Sequence, residues 1–109
     1  MAAPEAKRIA IGVPGTGPSA TFYTSDKGTA TITNIFFCNT AGSAATITLH
    51  HNDDGTGTYA NANALYSAFS IAANTTHHVQ VNIHMKFNAQ IGASQGTANA
   101  VTVSLYGVA

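Results

Sequence analysis

The residues of this 109-residue chain best suited to chemistry lie in two places: "HHNDDG", His50 to Gly55, and "TTHHVQVNIH", which carries His77, His78 and His84. These hold all five histidines, and the chain has only four carboxylates to work with them. Histidines at strand spacing suggest a divalent metal site, or a general base beside an acid. Adjacent side chains on a strand point to opposite faces, so each histidine pair offers at most one ligand per face. His50, His78 and His84 fall on the polar, outward phases of their strands. His51 opens a loop, and His77 shares the phase of Val79, Val81 and Ile83. The three outward histidines converge on a metal only if their strands pair in the right register. Asp53 and Asp54 lack the spaced acids and the closing glutamate of a calcium loop. No metal is expected, and His50, His78 and His84 are expected to line an interface.

Enzyme and cofactor chemistry find no better footing. Nothing matches a nucleophile elbow or a reactive cysteine context. Asp53 with Asp54 is the one local carboxylate pair, and the two are loop neighbours. "GTGPSA", Gly15 to Ala20, fits a dinucleotide fingerprint. The residues after it, "TFYTSDKGTATIT", are β-branched and broken by Gly28, so no helix opens there to receive a pyrophosphate. The chain is therefore read as a non-enzyme without a cofactor.

The elements that must position these residues are strands. "KRIAIG" is stopped by "VPGTGP"; "SATFYT" is followed by "DKG", whose Gly28 suits the positive φ of a tight hairpin. "TATITNIFFCN", Thr29 to Asn39, is apolar on both sides and belongs in the middle of a sheet. "AATITLHH" alternates Ala45, Ile47 and Leu49 against Thr46, Thr48 and His50. "ALYSAFSI" places Leu65, Phe69 and Ile71 on one side and Tyr66 on the other. "THHVQVNI", "KFNAQIG" and "AVTVSLYG" complete about eight short strands separated by turn signals, the pattern of an all-β, single antiparallel β-sandwich, jelly-roll or immunoglobulin-like. Residues 7–109 form this domain, and Met1 to Ala6 is expected to be an N-terminal arm that leads into Lys7 and Arg8.

Charged residues make up 7% of the chain, the formal net charge is zero and the mean hydropathy is +0.10. An ordinary domain carries about 25%. Such a surface is expected to end up against other protein. Lys7, Arg8, Lys27 and Lys86 are too scattered to neutralise a run of phosphates, so nucleic acid is not expected. No apolar run reaches the length of a spanning helix, and "MAAPEAKR" lacks the apolar stretch of a signal peptide. Synthesis in a reducing cytosol is therefore expected, with Cys38 of "IFFCN" expected to be a small buried hydrophobe.

The order "FFCNT", "AGSAAT", "LYSAFSIAANTT" and a terminal "VTVSLYGVA" resembles a family of small bacteriophage virion proteins, over Thr29 to Ala109. The resemblance implies a single β-sandwich that decorates or cements a capsid, or sits on a tail or fibre. It also implies assembly with copies of itself, often as a trimer, and with the major capsid protein or another virion protein. It brings no catalytic residues. A competing expectation is a binding module whose loops recognise a host glycan or receptor, with Tyr59 and Tyr66 stacking on sugar rings and Asn61 and Asn63 supplying hydrogen bonds. Tyr59 and Tyr66, with Lys7, Arg8 and the three outward histidines, are the interface candidates.

Overall fold

A computed structural model describes residues 6–109, leaving aside the side chain of Asn61. Eight strands follow in order: β1 (Ala6–Gly12), β2 (Ala20–Thr24), β3 (Ala30–Asn39), β4 (Ala45–Asn52), β5 (Ala64–Ile71), β6 (Thr75–Met85), β7 (Gln90–Gln95) and β8 (Val101–Val108). A single 3-10 turn, Asn61–Asn63, precedes β5. The expected arm, Met1 to Ala6, falls outside the described residues except for Ala6, which opens β1.

Two four-stranded antiparallel sheets form, in the orders β1-β8-β3-β6 and β2-β7-β4-β5. Of the consecutive strands only β4 and β5 pair as neighbours; every other connection crosses from one sheet to the other. This is the eight-stranded jelly-roll, and the immunoglobulin-like alternative, with its different strand order, is set aside. One expected hairpin disappears with it. Gly28 does take a positive φ of 131°, but β2 and β3 lie in different sheets, so the "DKG" turn carries the chain across the sandwich.

Strand β3 lies between β8 and β6, as its two-sided apolar sequence requires. Its inner face supplies Ile32, Ile35 and Phe37, all fully buried against Ile47, Leu49, Ile91, Val103 and Leu105. Ile32 and Ile35 are three apart, a spacing that strict alternation would send to opposite faces. The register with β8 slips between Ile32 and Asn34, where Thr33 is the extra residue, and this returns both isoleucines to the core.

A bulge also overturns the expected phase of β5. Ile47 pairs with Phe69 and Leu49 with Tyr66, so β5 spends one residue more than β4 there. Ala68 absorbs it at φ 50°, donating its N–H to Thr48 Oγ1 at 3.0 Å. Tyr66 and Phe69 therefore share the inner side, and Leu65 points outward, 38% exposed. Strand β7 runs later than "KFNAQIG" suggested. Lys86 to Ala89 make a turn with Asn88 at φ 67°, and the strand is Gln90–Gln95.

Two buried amides fix the loops at one end of the sandwich. Asn39 Nδ2 donates to the carbonyls of Ser43, Ile71 and Ala72, while its Oδ1 accepts from the N–H of Ala41. Gln95 Oε1 accepts from the N–H groups of Ala100 and Val101, and its Nε2 donates to the carbonyls of Pro14 and Val101. Four interstrand connections (β1–β2, β3–β4, β5–β6 and β7–β8) are thereby gathered into one end, their polar backbone groups satisfied by side chains.

Candidate functional site

The histidines do not converge. His50 lies in β4 and His78 and His84 in β6, and these strands belong to different sheets. Among the described residues no group of three or more His, Cys, Asp or Glu side chains is placed to hold a metal ion. Asp54 is engaged locally: its Oδ1 accepts from the hydroxyl of Thr56 at 2.7 Å and from the Thr56 N–H at 3.1 Å. Those two bonds hold its carboxyl below the usual carboxylate range. Asp53 faces Lys86 at 3.4 Å, with His51 Nε2 3.8 Å away.

His50 takes the outward phase but is not on the surface. It is 7% exposed beneath the β4–β5 loop, its Nδ1 hydrogen-bonded to the carbonyl of Ala60 at 3.1 Å and to Asn63 Oδ1 at 3.0 Å. Tyr59 closes the same cover. Thr21, Gly92 and His50 face one another across β2, β7 and β4. The Tyr59 ring lies on the gap that Gly92 leaves, where a Cβ would stand 2.5 Å from ring carbons. Its hydroxyl meets Thr21 Oγ1 at 2.6 Å. Tyr66 is turned inward, edge-on to Phe37 at 5.8 Å and tilted against Phe69 at 5.3 Å. Neither tyrosine is displayed as a stacking platform for a sugar. Asn63, the second amide of that expectation, is spent on His50 and on the carbonyl of Thr58, and the side chain of Asn61 falls outside the described residues.

The unoccupied chemistry lies on the outer face of the β1-β8-β3-β6 sheet. Residues paired across strands share a face. Arg8, Tyr106, Asn34 and Gln80 form one row across it, and Ile11, Ser104, Phe36 and His78 the next. Cys38 follows between Thr102 and Thr76; it is half-buried on this outer face, not in the core as expected. His78 stacks on Phe36, ring centres 4.5 Å apart and planes 16° from parallel, and its Nε2 lies 2.7 Å from Asn34 Oδ1. Tyr106 meets Phe36 edge-on at 5.4 Å. Asn34, Phe36, His78 and Tyr106 line a shallow open depression. Ile11, 51% exposed, extends the apolar surface across β1. His84 lies further along the same face, 3.3 Å from Thr31 Oγ1. Lys7 and Arg8 are exposed on β1, with Arg8 beside Tyr106 and Lys7 on the edge opposite Gly107.

The charges are sorted by the fold. Asp26 and Lys27 in the β2–β3 turn, Asp53 and Asp54 after β4, and Lys86 after β6 all lie at one end, where Ser25 bonds Asn88 and Ala89 across the sandwich. Lys7 and Arg8 enter from that end too, opposite the last residues of β8. The other end is built from "VPGTGPS", "TAGS", "AAN" and "GTANA", without one Asp, Glu, Lys or Arg. Sequence reasoning missed Phe36, Tyr106, Asn34 and Ile11. The signal for Phe36 was the second apolar phase of "NIFFCN", which has no place in a one-sided strand.

No family model and no curated protein matches the chain. Among solved structures, a chain of the viral particle of infectious bursal disease virus is similar with a TM-score of 0.53 and 8% identity, over 96% of this chain and 31% of that one. A chain from the Gx strain of the same virus gives a TM-score of 0.47 and 13% identity, over 96% and 30%. The present chain thus spans about a third of the length of the chains it matches. The first likeness is one of fold.

Proposed function

We propose that this chain is a non-enzymatic structural protein of a virion, more finely a bacteriophage decoration or cement protein. On this reading it is made in the host cytoplasm, assembles with copies of itself, and docks on the major capsid protein or another virion protein. The observation that carries the reading is the segregation of charge. An uncharged end, continued over an outer sheet face that displays Ile11, Phe36, His78 and Tyr106 and, among the described residues, a single charged residue, Arg8, is suited to lie against protein. The charged end is suited to face water. Further support comes from the jelly-roll, an architecture common in capsid proteins, and from its likeness to a chain of a viral particle.

Energetically, a contact that buries about 300 Å² of apolar surface contributes ~7 kcal/mol before association costs, and repetition around a shell multiplies it. The proposal requires the chain in purified particles at a fixed copy number relative to the major shell protein. Quantitative mass spectrometry of gradient-purified particles should find that ratio unchanged between preparations. A trace amount that further purification removes would overturn the proposal.

A further inference from the structure

We infer that the free edge of β6 pairs with the same edge of a second copy of this chain, antiparallel, joining two β1-β8-β3-β6 sheets into one continuous sheet. A jelly-roll leaves four edge strands, each with unpaired backbone N–H and C=O groups that invite another strand. Three of the four are blunted here. Strand β1 carries Lys7 and Arg8 and slips register between Arg8 and Ala10. Strand β2 is five residues long with a slip between Thr21 and Tyr23. Strand β5 has two register slips and the left-handed Ala68.

Strand β6 has none of these protections over its first half. It is the longest strand, 11 residues, and contains no Lys, Arg, Asp, Glu or Pro. From Thr75 to Gln80 it pairs residue for residue with Asn39 to Asn34, so this half of the strand is regular. Among the described residues no strand lies on its other side. Thr75 to His78 are exposed, and Val79, Val81 and Ile83 are half-buried on the inner phase, where a continuing strand would cover them.

A second copy is the occupant that fits this edge. An antiparallel mate would set valine beside valine on the inner phase. On the outer phase it would bring threonine, imidazole and amide side chains together. Neither strand carries a formal charge to repel the other. A partner with a charged strand would gain nothing from so neutral an edge. The pairing would also bring together two Phe36–His78 stacks, continuing the outer face across the two-fold axis. The inference concerns self-association and stands apart from any virion role.

Sedimentation equilibrium of the full chain tests it. The wild type should contain an even number of subunits at micromolar concentration. Thr76→Lys with Gln80→Lys, both on the exposed outer phase, should halve that mass, and so should Thr76→Glu with Gln80→Glu. Mixing the two variants should restore it. Ser67→Lys with Ser70→Lys on β5 should leave it unchanged. Should the variants fail to fold, amide exchange of the wild type serves in their place, slowing over Thr75 to Gln80 as concentration rises. A monomeric wild type, as expected if the edge takes a strand from another protein, would overturn the inference. An odd oligomer whose mass the lysine variant leaves unchanged, or exchange over β6 independent of concentration, would also overturn it.

Discussion

Replacing Gly107 by alanine should unfold the protein or come close to it. Gly107 faces Ile32 across the central pairing of β8 with β3, beside the slip that returns Ile35 to the core. A Cβ there would overlap the carbonyl oxygen of Thr31 and stand 2.9 Å from the Cα of Ile32. Both obstacles are backbone, so no rotamer change relieves them; β3 and β8 must separate, and with them the faces that bury Phe37, Ile32 and Leu105. The cost should reach about 4 kcal/mol or more, close to the whole stability of a domain of this size. The urea midpoint should fall by about 2 M, or no folded baseline should remain. Gly15→Ala is the matched comparison. Nothing lies within 4 Å of its added Cβ, and its stability should change by less than about 0.5 kcal/mol. Equal midpoints for the two variants would mean that the β3–β8 register is wrong.

The largest effect on function should come from the outer face. Ile11→Glu combined with Phe36→Glu places two carboxylates where the proposed contact is apolar, while leaving the buried residues of the core untouched. Buried apolar and aromatic anchors in interfaces are worth about 2 kcal/mol or more each. Binding to particles stripped of the protein should therefore weaken by at least about 30-fold, read by co-sedimentation. The melting temperature should stay near the wild-type value. Lys27→Glu, at the charged end, should bind as the wild type does. A double variant that still fills the particle would remove this face from the docking surface.

How much of this was legible in the sequence depended on whether alternation held. The β-class, the central place of β3 and the inner residues of β4 and β8 follow from period-two patterning, and the structure has them so. Tyr66 takes the side opposite to the one alternation predicts, because a single extra residue at Ala68, with no glycine to mark it, inverts the phase of everything before it. His50 had the correct phase and the wrong exposure. Phase decides which face a side chain takes, but the cover over His50 comes from Tyr59 resting on Gly92, a contact between residues 33 apart in the chain. The separation of His50 from His78 depends on sheet membership, which pattern alone does not give. The same is true of the charge segregation. Every charged residue was visible from the start, but only the crossing of the connections shows that Asp26, Asp53 and Lys86 share an end while the uncharged loops share the other.

We propose a virion subunit that docks through its uncharged surface. Electron microscopy of the intact particle, at a resolution that places the two sheets, tests it most directly. Density is expected for the chain with Ile11, Phe36 and Tyr106 and the "TAGS" and "GTANA" loops against neighbouring protein, and with Asp26, Lys27, Asp53 and Lys86 toward solvent. A particle without this chain, or one in which the charged end makes the contact and the Phe36 face is bare, would contradict it.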